Sequence, residues 1–425
     1  MTYQSVKGTK DILPEESPRW QAVENLVREV MELFAYREIR TPIFEETAVF
    51  VRSIGEDTDI VGKEMYTFTD KGGTSLTLRP EMTAPVIRAY LQHSLGTGGG
   101  VQKLYYMGPM FRQERPQAGR LRQFHQYGAE CIGSSSPACD AEIIALAAHV
   151  YDRLDIPYVL KINSVGNERC RPRYREALRD FLTRVSERLT GESRRRMHTN
   201  PLRVLDSKVP EDIEATAEAP RMLDYLCDEC REHFEAVRSH LENLDIPARV
   251  EPRLVRGLDY YTKTAFEFAS PDLGAQDALG GGGRYDRLVE EFGGDSTPAV
   301  GFAAGFERLF IALERRGSRF SGHRLSVYLV GLDEPSRRLC LREALTLRRM
   351  GVSADCDFQQ RSLKSQMREA NKRGAAYTVI IGSEERERGV VTVKDMTTGM
   401  QETMELSLFR ARFTGEDGGA KPRRD

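Results

Sequence analysis

Long apolar runs are missing from this 425-residue chain, and no stretch approaches the ~18 consecutive apolar residues that a membrane-spanning helix needs. The N-terminal MTYQSVKGTKDILPEE has no apolar centre, so a secretory signal is not expected. Charge of one sign is missing too: 62 Lys+Arg against 64 Asp+Glu leave a formal net charge of -2. That balance excludes a histone-like polycation and a disordered acidic tail protein, but a local cluster of cations can still bind nucleic acid. Cysteine is scarce, with residues at 131, 139, 170, 227, 230, 340 and 356. These are too few and too scattered for a disulfide framework, and a reducing, cytoplasmic setting is expected. Neither a Walker A sequence nor a GxGxxG between a strand and a helix occurs, which removes two common phosphate-cradling loops.

Cys227 and Cys230 form one CxxC inside LDYLCDECREHFEAVRSHLENL. There Leu223, Leu226, Cys230, Phe234, Val237 and Leu241 recur at helical spacing, which favours core-facing cysteines. A four-ligand zinc site needs a second pair. Only His233 lies nearby, and no metal site is expected.

At roughly 150 residues per domain, the length suggests two or three domains. Residues 17–36 read as an amphipathic helix, with Ser17 as cap, Pro18 in the first turn, and Trp20, Val23, Val27, Val30 and Phe34 on one face. EIRTPIFEE then looks extended, with Pro42 confined to an edge or a strand end. The short strand candidates EMYTFTD, TSLTLRP, VQKLYYMGPMFR and RQFHQYGAECIG follow, a spacing that predicts a mostly antiparallel sheet. Residues 140–154 return to helix, and about 170–245 is nearly all helical and highly charged, an insertion interrupted by TNPLRVLDSK. Strands resume at ARVEPRLV, TAFEFAS and PAVGFAAG, while the glycines at 280–283 read by themselves as a tight turn. After the polar LERRGSRFSGHR, strands and helices alternate, which predicts a separate small α/β domain.

FRQERPQAGRLRQFHQYGAE at 111–130 is the most informative stretch. Two strands flanking a PQAG turn project Arg112 and Glu130 into one cleft, though a solvated hairpin explains the arginines equally well. RPEMTAP at 79–85, LVRGLDYYTKTAFEF at 254–268 and AVGFAAGFERL at 299–309 shift the balance. Together these resemble a class II aminoacyl-tRNA synthetase, and specifically the histidyl-tRNA synthetase family. EIRTPIFEE is similar to the first class signature, which serves dimerisation, FRQERPQAGRLRQF to the second, and GFAAGFERL, with Arg308, to the third. LVRGLDYYTKT and ALGGGGRYD resemble the two histidine-specific signatures, and KGTKDILP, TNPLRVLDSK and RSLKSQMREANKRGA also match the family.

The resemblance implies an α+β fold: an antiparallel class II sheet core over 1–325 with the helical insertion at about 170–245, an α/β anticodon-binding domain over 326–412, and a flexible tail over 413–425. It implies a cytoplasmic homodimer that activates L-histidine with ATP and Mg²⁺ and transfers it to the 3′ end of tRNA(His). Arg112 then holds the α-phosphate and the amino-acid carboxylate, Arg308 the γ-phosphate, Arg256 the charge of the transition state, and Glu114 belongs to the ATP site. A guanidinium suits such tasks because its planar fork pairs with two phosphate oxygens. Glu130 and Tyr261 flank the imidazole, Tyr260 lines the same pocket, and Glu81, Thr83 and Gln126 hold the ammonium. Such a hydrogen-bonded site rejects analogues by as much as ~10⁴-fold, and no segment is left over for an editing domain. Met82 stands where the family often has Gly, and it is expected to point away from the pocket. No residue stands out as general base for the transfer.

Lys364, Arg368 and Lys372 fall four apart on a helix candidate that also carries Arg361 and Arg373 against Glu369 alone. This stripe is an electrostatic footprint for a phosphate backbone. Arg115, Gln117 and Arg120 are the candidates for touching the acceptor stem. The rival reading is a synthetase-like, non-catalytic regulatory subunit of ATP phosphoribosyltransferase. That reading predicts loss of LVRGLDYYTKT and of the terminal domain, and both are present.

Overall fold

The structure, a computed structural model, describes residues 3–54, 60–117, 119–255, 260–274, 277–317 and 325–413. The chain divides into two compact units, Met1–Arg319 and Phe320–Asp425. Among the described residues no helix is long and apolar enough to cross a membrane.

The strands of the first unit are β1 (Arg37–Glu38), β2 (Phe44–Glu46), β3 (Tyr66–Thr69), β4 (Ser75–Leu78), β5 (Gln102–Phe111), β6 (Gln123–Ile132), β7 (Val159–Ser164), β8 (Ala248–Val250), β9 (Thr262–Ala269), β10 (Ala278–Arg284) and β11 (Ala299–Gly305). Eight of them form one sheet in the order β1-β5-β6-β11-β10-β9-β7-β8. Its inner pairs are antiparallel, while β1 runs parallel to β5 and β8 parallel to β7. A mostly antiparallel sheet is what the spacing of the short strands predicted. The glycine run departs from its reading as a turn. Gly280–Gly283 lie within β10, between β9 and β11. A Cβ on Gly282 would stand 1.9 Å from the Gly301 carbonyl oxygen, and one on Gly283 would stand 2.3 Å from that of Thr264. Neighbouring backbones leave no room for side chains there, which is the constraint glycine satisfies.

Two helices, Ser17–Leu33 and Pro137–Arg153, pack beside the sheet. The first buries Val23, Val27 and Val30, as their spacing predicts. Ser17 is not its cap: it lies inside the helix, and its hydroxyl donates back to the Leu13 carbonyl at 3.0 Å. Trp20 packs against Phe310 with ring centroids 4.5 Å apart and meets His125 edge-on at 5.0 Å. Pro137–Arg153 is properly capped by Ser136, and Ile143, Ile144, Leu146 and Val150 are fully buried.

The insertion between β7 and β8 is helical, with segments Arg171–Arg184, Gly191–Thr199, Leu202–Leu205, Pro210–Ala215 and Asp228–Asn243. It has its own core of Tyr174, Leu178, Leu182, Met197, Val204 and Cys230. Strands β2, β4 and β3 make a small separate sheet. Its Thr67 and Thr77 hydroxyls bond each other at 2.9 Å on one face, while Phe44 and Phe68 are exposed on the other.

The second unit holds β12 (Val327–Gly331), β13 (Ala354–Cys356), β14 (Tyr377–Ile381), β15 (Val390–Asp395) and β16 (Gln401–Glu405), ordered β13-β12-β14-β15-β16. The first three are parallel, and β15 and β16 add antiparallel. Helices Glu334–Arg349 and Leu363–Lys372 alternate with them, and β16 is a strand the sequence pattern did not reveal. The expected tail lies, from residue 414 on, outside the described residues.

Arg284, at the end of β10, is fully buried and bonds Asp140 at 3.2 Å, Asp286 at 3.3 Å and the Ser134 carbonyl. His233 of the insertion reaches Asp140 at 3.2 Å from the other side. Removing one member strands a buried charge, which costs about 3–5 kcal/mol. Arg284→Met should lower the chemical-denaturation midpoint of the first unit by a corresponding amount. An unshifted midpoint would show that Asp140 finds other partners.

Candidate active site

Strands β5 and β6 pair over their whole length, from Gln102↔Ile132 to Phe111↔Gln123. The arginine-rich segment 112–122 is therefore the connection between them. It is closed by reciprocal backbone bonds between Gln117 and Arg120, at 3.0 and 2.9 Å. The KGTKDILP segment braces it, because the Gly8 carbonyl accepts from Arg122 N–H at 2.7 Å. Beneath lies a cavity of about 550 Å³, walled by residues from β5, β6, β10, β11, the arginine loop, the start of helix Thr83–Gln92 and Tyr260–Tyr261.

One end of the cavity is organised around a buried carboxyl. Glu130 stands directly across from Gly301 in the β6–β11 register, and a Cβ at position 301 would fall 1.6 Å from Glu130 Oε2. Gly128, opposite Tyr106, clears space for that ring in the same way. Glu130 accepts from the hydroxyls of Thr83 at 2.8 Å, Tyr106 at 3.1 Å and Tyr285. Burial pushes its carboxyl up to about 8, against the donations of Tyr285 and Thr83. Burial also lifts the Tyr106, Tyr260 and Tyr285 phenols well above their ordinary range, so they stay protonated donors. Each hydroxyl that gives its proton to Glu130 keeps oxygen lone pairs for the cavity, a wall of acceptors suited to a ligand rich in N–H groups.

Glu81 sits beside this group. Its carboxylate accepts from the Thr83 amide at 2.6 Å and the Ala84 amide at 3.0 Å, capping helix Thr83–Gln92. Burial raises its carboxyl against those two donations. Gln126 Oε1 is buried and meets no donor among the described residues, an acceptor unsatisfied within the chain. Tyr260 and Tyr261 complete the wall, their ring centroids 4.7 Å apart and their planes tilted by 49°.

The opposite end is cationic. Arg112 donates Nε–H to the Pro80 carbonyl at 3.0 Å and lies over the Phe124 ring, 5.2 Å from its centroid. Burial depresses its guanidinium, against the attraction of Glu64, Glu114 and Glu81. Arg308 donates to the Ala278 carbonyl at 2.5 Å. Burial depresses it as well, and the neighbouring Arg120 adds to the effect. Two desolvated guanidiniums beside a third cation gain most from an anionic ligand.

The expected residues Glu81, Thr83, Arg112, Glu114, Arg120, Gln126, Tyr260, Tyr261 and Arg308 all line this one cavity. Glu130 does not; it lies behind Thr83, Tyr106 and Tyr285, which do. Met82, expected to point away, contributes to the wall although its sulfur turns to the Thr41 hydroxyl at 3.4 Å. Arg115 and Gln117 are exposed on the loop, and Arg256 lies outside the described residues. Sequence reasoning missed Tyr106, Tyr285, Glu64, and the insertion residues Arg196, Arg203 and Asp206. For Arg203 and Asp206 a signal existed, since TNPLRVLDSK breaks an otherwise regular helical pattern.

In the second unit, Lys364, Arg368 and Lys372 are exposed on helix Leu363–Lys372. The flanking arginines are committed elsewhere: Arg361 to Asp357 at 2.6 Å and Glu369 at 3.1 Å, and Arg373 to Glu369 at 2.8 Å and to Asp355. The solvent-facing stripe is thus narrower than the sequence count of cations suggested.

Comparison with known proteins agrees over both units. Residues 8–309 match the family model described as histidyl-tRNA synthetase, and 326–415 match an anticodon binding domain. The histidine–tRNA ligase of Halothermothrix orenii is 50% identical over 94% of this chain and 96% of its own length. That of Thermotoga maritima is 49% identical over 98% and 99%. The crystal structure of apo Staphylococcus aureus histidyl-tRNA synthetase superposes with a TM-score of 0.82 at 40% identity, covering 97% of this chain and all (100%) of that one. A Bacillus halodurans structure titled as an ATP phosphoribosyltransferase regulatory subunit/histidyl-tRNA synthetase shares the fold, with a TM-score of 0.62 at 22% identity over 90% and 98%.

The Glu130 carboxyl titrates at about 8 in the folded chain against an ordinary value of 4.5. An acid raised by folding binds its proton more tightly folded than unfolded. Its contribution to stability is therefore complete below 4.5 and is lost as pH rises to about 8. Glu130→Gln, which cannot ionise, should melt like the unaltered chain in acid and at a higher temperature above about pH 8. Parallel melting profiles across that range would remove the assignment.

Proposed function

The chain belongs to the histidyl-tRNA synthetase family, and from that premise we propose how its cavity divides the work of ligating histidine to tRNA with ATP. The carrying observation is one continuous wall that passes from the Glu130 hydroxyl cluster, through Glu81, to Arg112 and Arg308. Histidine is the substrate such a wall fits: N–H donors at its ring and ammonium, and a carboxylate directed to the arginines.

In this reading the imidazole meets Tyr261 and the hydroxyls of Tyr106 and Tyr285, which Glu130 orients from behind. Gln126 Oε1 and Glu81 take the ammonium, with Thr83 at the same helix end. Arg112 brings the amino-acid carboxylate against the α-phosphate of ATP, and Arg308 holds the γ-phosphate. Charge that builds on the phosphate oxygens during attack falls between cations already desolvated and fixed, so no solvent must reorganise at that moment. Arg256 adds a further cation to this step, and pyrophosphate leaves. Magnesium takes oxygen ligands, typically one or two carboxylates beside substrate phosphates. Glu64 and Glu114, the carboxylates acting most strongly on Arg112, fit that donor set, and the ion when bound neutralises phosphate charge.

The terminal ribose hydroxyl of tRNA then attacks the adenylate carbonyl, and Arg115, Gln117 and Arg120, on the loop between β5 and β6, contact the acceptor stem. We assign catalysis to 1–325 and anticodon reading to 326–412, where Lys364 and Arg368 contact the phosphate backbone. The setting is cytoplasmic and the architecture class II. A homodimer is supported by the small sheet: Phe44 and Tyr66 both pair with Leu78, Phe68 pairs with Leu76, and the outer face they share exposes both phenylalanines. A non-catalytic regulatory role is not favoured, because Arg112 and Arg308 both remain in the cavity wall.

Histidine-dependent ATP–pyrophosphate exchange tests the assignment. Arg308→Ala and Arg256→Ala should each reduce exchange by about 10²-fold or more. Charge reversal at Lys364 and Arg368 should weaken tRNA charging and leave exchange unchanged; an equal fall in both would unmake the two-domain division. Paired Phe44→Glu and Phe68→Glu substitutions should halve the mass measured by light scattering. An unchanged mass would place the dimer contact elsewhere.

A further inference from the structure

The cysteines of the helical insertion take no part in the cavity. Cys227 immediately precedes helix Asp228–Asn243, and Cys230 lies in its first turn. Cys170, distant in sequence, immediately precedes helix Arg171–Arg184. The three Sγ atoms lie within 4.8 Å of one another, and those of Cys170 and Cys230 are 3.9 Å apart. Asn167 closes the group. Its Oδ1 is 3.3 Å from Cys170 Sγ and 3.7 Å from Cys227 Sγ, and it also accepts from the Arg169 amide at 3.1 Å. The Asn167 amide itself donates to Cys170 Sγ at 3.3 Å. His233, the neighbour that sequence alone offered as a ligand, is held by Asp140 at 3.2 Å instead.

These separations are close to the edges of a coordination tetrahedron. With Zn–S near ~2.3 Å and Zn–O near ~2.1 Å, tetrahedral angles put S···S at about 3.8 Å and S···O at about 3.6 Å. A disulfide requires sulfurs about 2.05 Å apart, uses two thiols and leaves the third stranded. The N-terminus of a helix of 16 residues also favours thiolate over thiol.

We propose that Cys170, Cys227 and Cys230 bind one thiophilic divalent cation, zinc, with the fourth vertex facing Asn167 Oδ1. Binding releases the thiol protons and exchanges S–H for S–metal contacts, with no redox change. The ion clips together two helices of the insertion, and its effect reaches the cavity through short paths. Arg171, next to Cys170, donates to the carbonyls of Val165 at 3.2 Å, Gly166 at 3.3 Å and Tyr261. Glu229, between the other two cysteines, pairs with Lys263 at 2.8 Å. The metal therefore positions the segment that carries Tyr260 and Tyr261.

The full chain, purified under reducing conditions without chelator, should carry about one zinc per chain by mass spectrometry of the metal. A mercurial reagent that blocks thiols should release it. Cobalt(II) in its place should give thiolate-to-metal charge-transfer absorption and the intense visible bands of a tetrahedral site. Cys227→Ser and Cys230→Ser should lower occupancy about tenfold or more, whereas Cys340→Ser, in the second unit, should retain it. Should the serine variants fail to fold, the cobalt spectrum of the unaltered chain decides. Reduced thiols with no charge-transfer band on adding cobalt would overturn the site, as would a Cys170–Cys230 disulfide in chain isolated without oxidant.

Discussion

A single carboxyl placed in the middle of a sheet sets the terms for everything around it. Glu130 has water on no side, so its oxygens must be met by the protein, and three hydroxyls from three different segments converge to do so. Thr83 belongs to the start of a helix, Tyr106 to β5 and Tyr285 to the turn after β10. The cluster therefore ties the helix, the hairpin and the glycine strand into one register. It exists only because Gly301 and Gly128 supply no Cβ where Glu130 and Tyr106 cross them. Polarity at the core and the absence of side chains on the neighbouring strands are two faces of one arrangement.

That arrangement explains what could be read along the chain and what could not. Arg112, Arg308, Glu81 and Gln126 stand in motifs singled out by their family resemblance, and all four line the one cavity. Tyr106 sits in LYYM, a run indistinguishable from ordinary core strand, and Tyr285 closes ALGGGGRYD, a motif whose resemblance assigned its tyrosine no role. Their part emerges from cross-strand register, which has no local signature. The glycine run misled for a related reason, because glycine marks turns through backbone freedom and strands through lack of bulk. Only the neighbouring strands tell the two apart. Ser17 failed as a cap through an error of one residue, within the ordinary uncertainty of helix ends.

The insertion belongs to the site more closely than its composition suggested. Its helices read only as a highly charged insertion, yet Arg196, Arg203 and Asp206 stand in the cavity wall. Arg253 anchors it from β8's far side, donating to Thr216 and Leu205 carbonyls at 3.2 Å each. Cys170 was invisible as a partner of the CxxC because the intervening helices fold back before it returns. The basic stripe shows the opposite correction. Arg361 and Arg373 count as cations in sequence, but their aspartates and glutamate reserve them for holding the second unit's helix in place.

The chain's one tryptophan has an optical consequence. Trp20 lies 4.5 Å from Phe310 and edge-on to His125, whose Nδ1 meets Glu307 at 3.0 Å. Glu307 and Phe310 share the helix Phe306–Arg315 with Arg308. The indole is thus a native fluorophore seated against the helix that carries Arg308. Its emission reports the seating of that helix without any label.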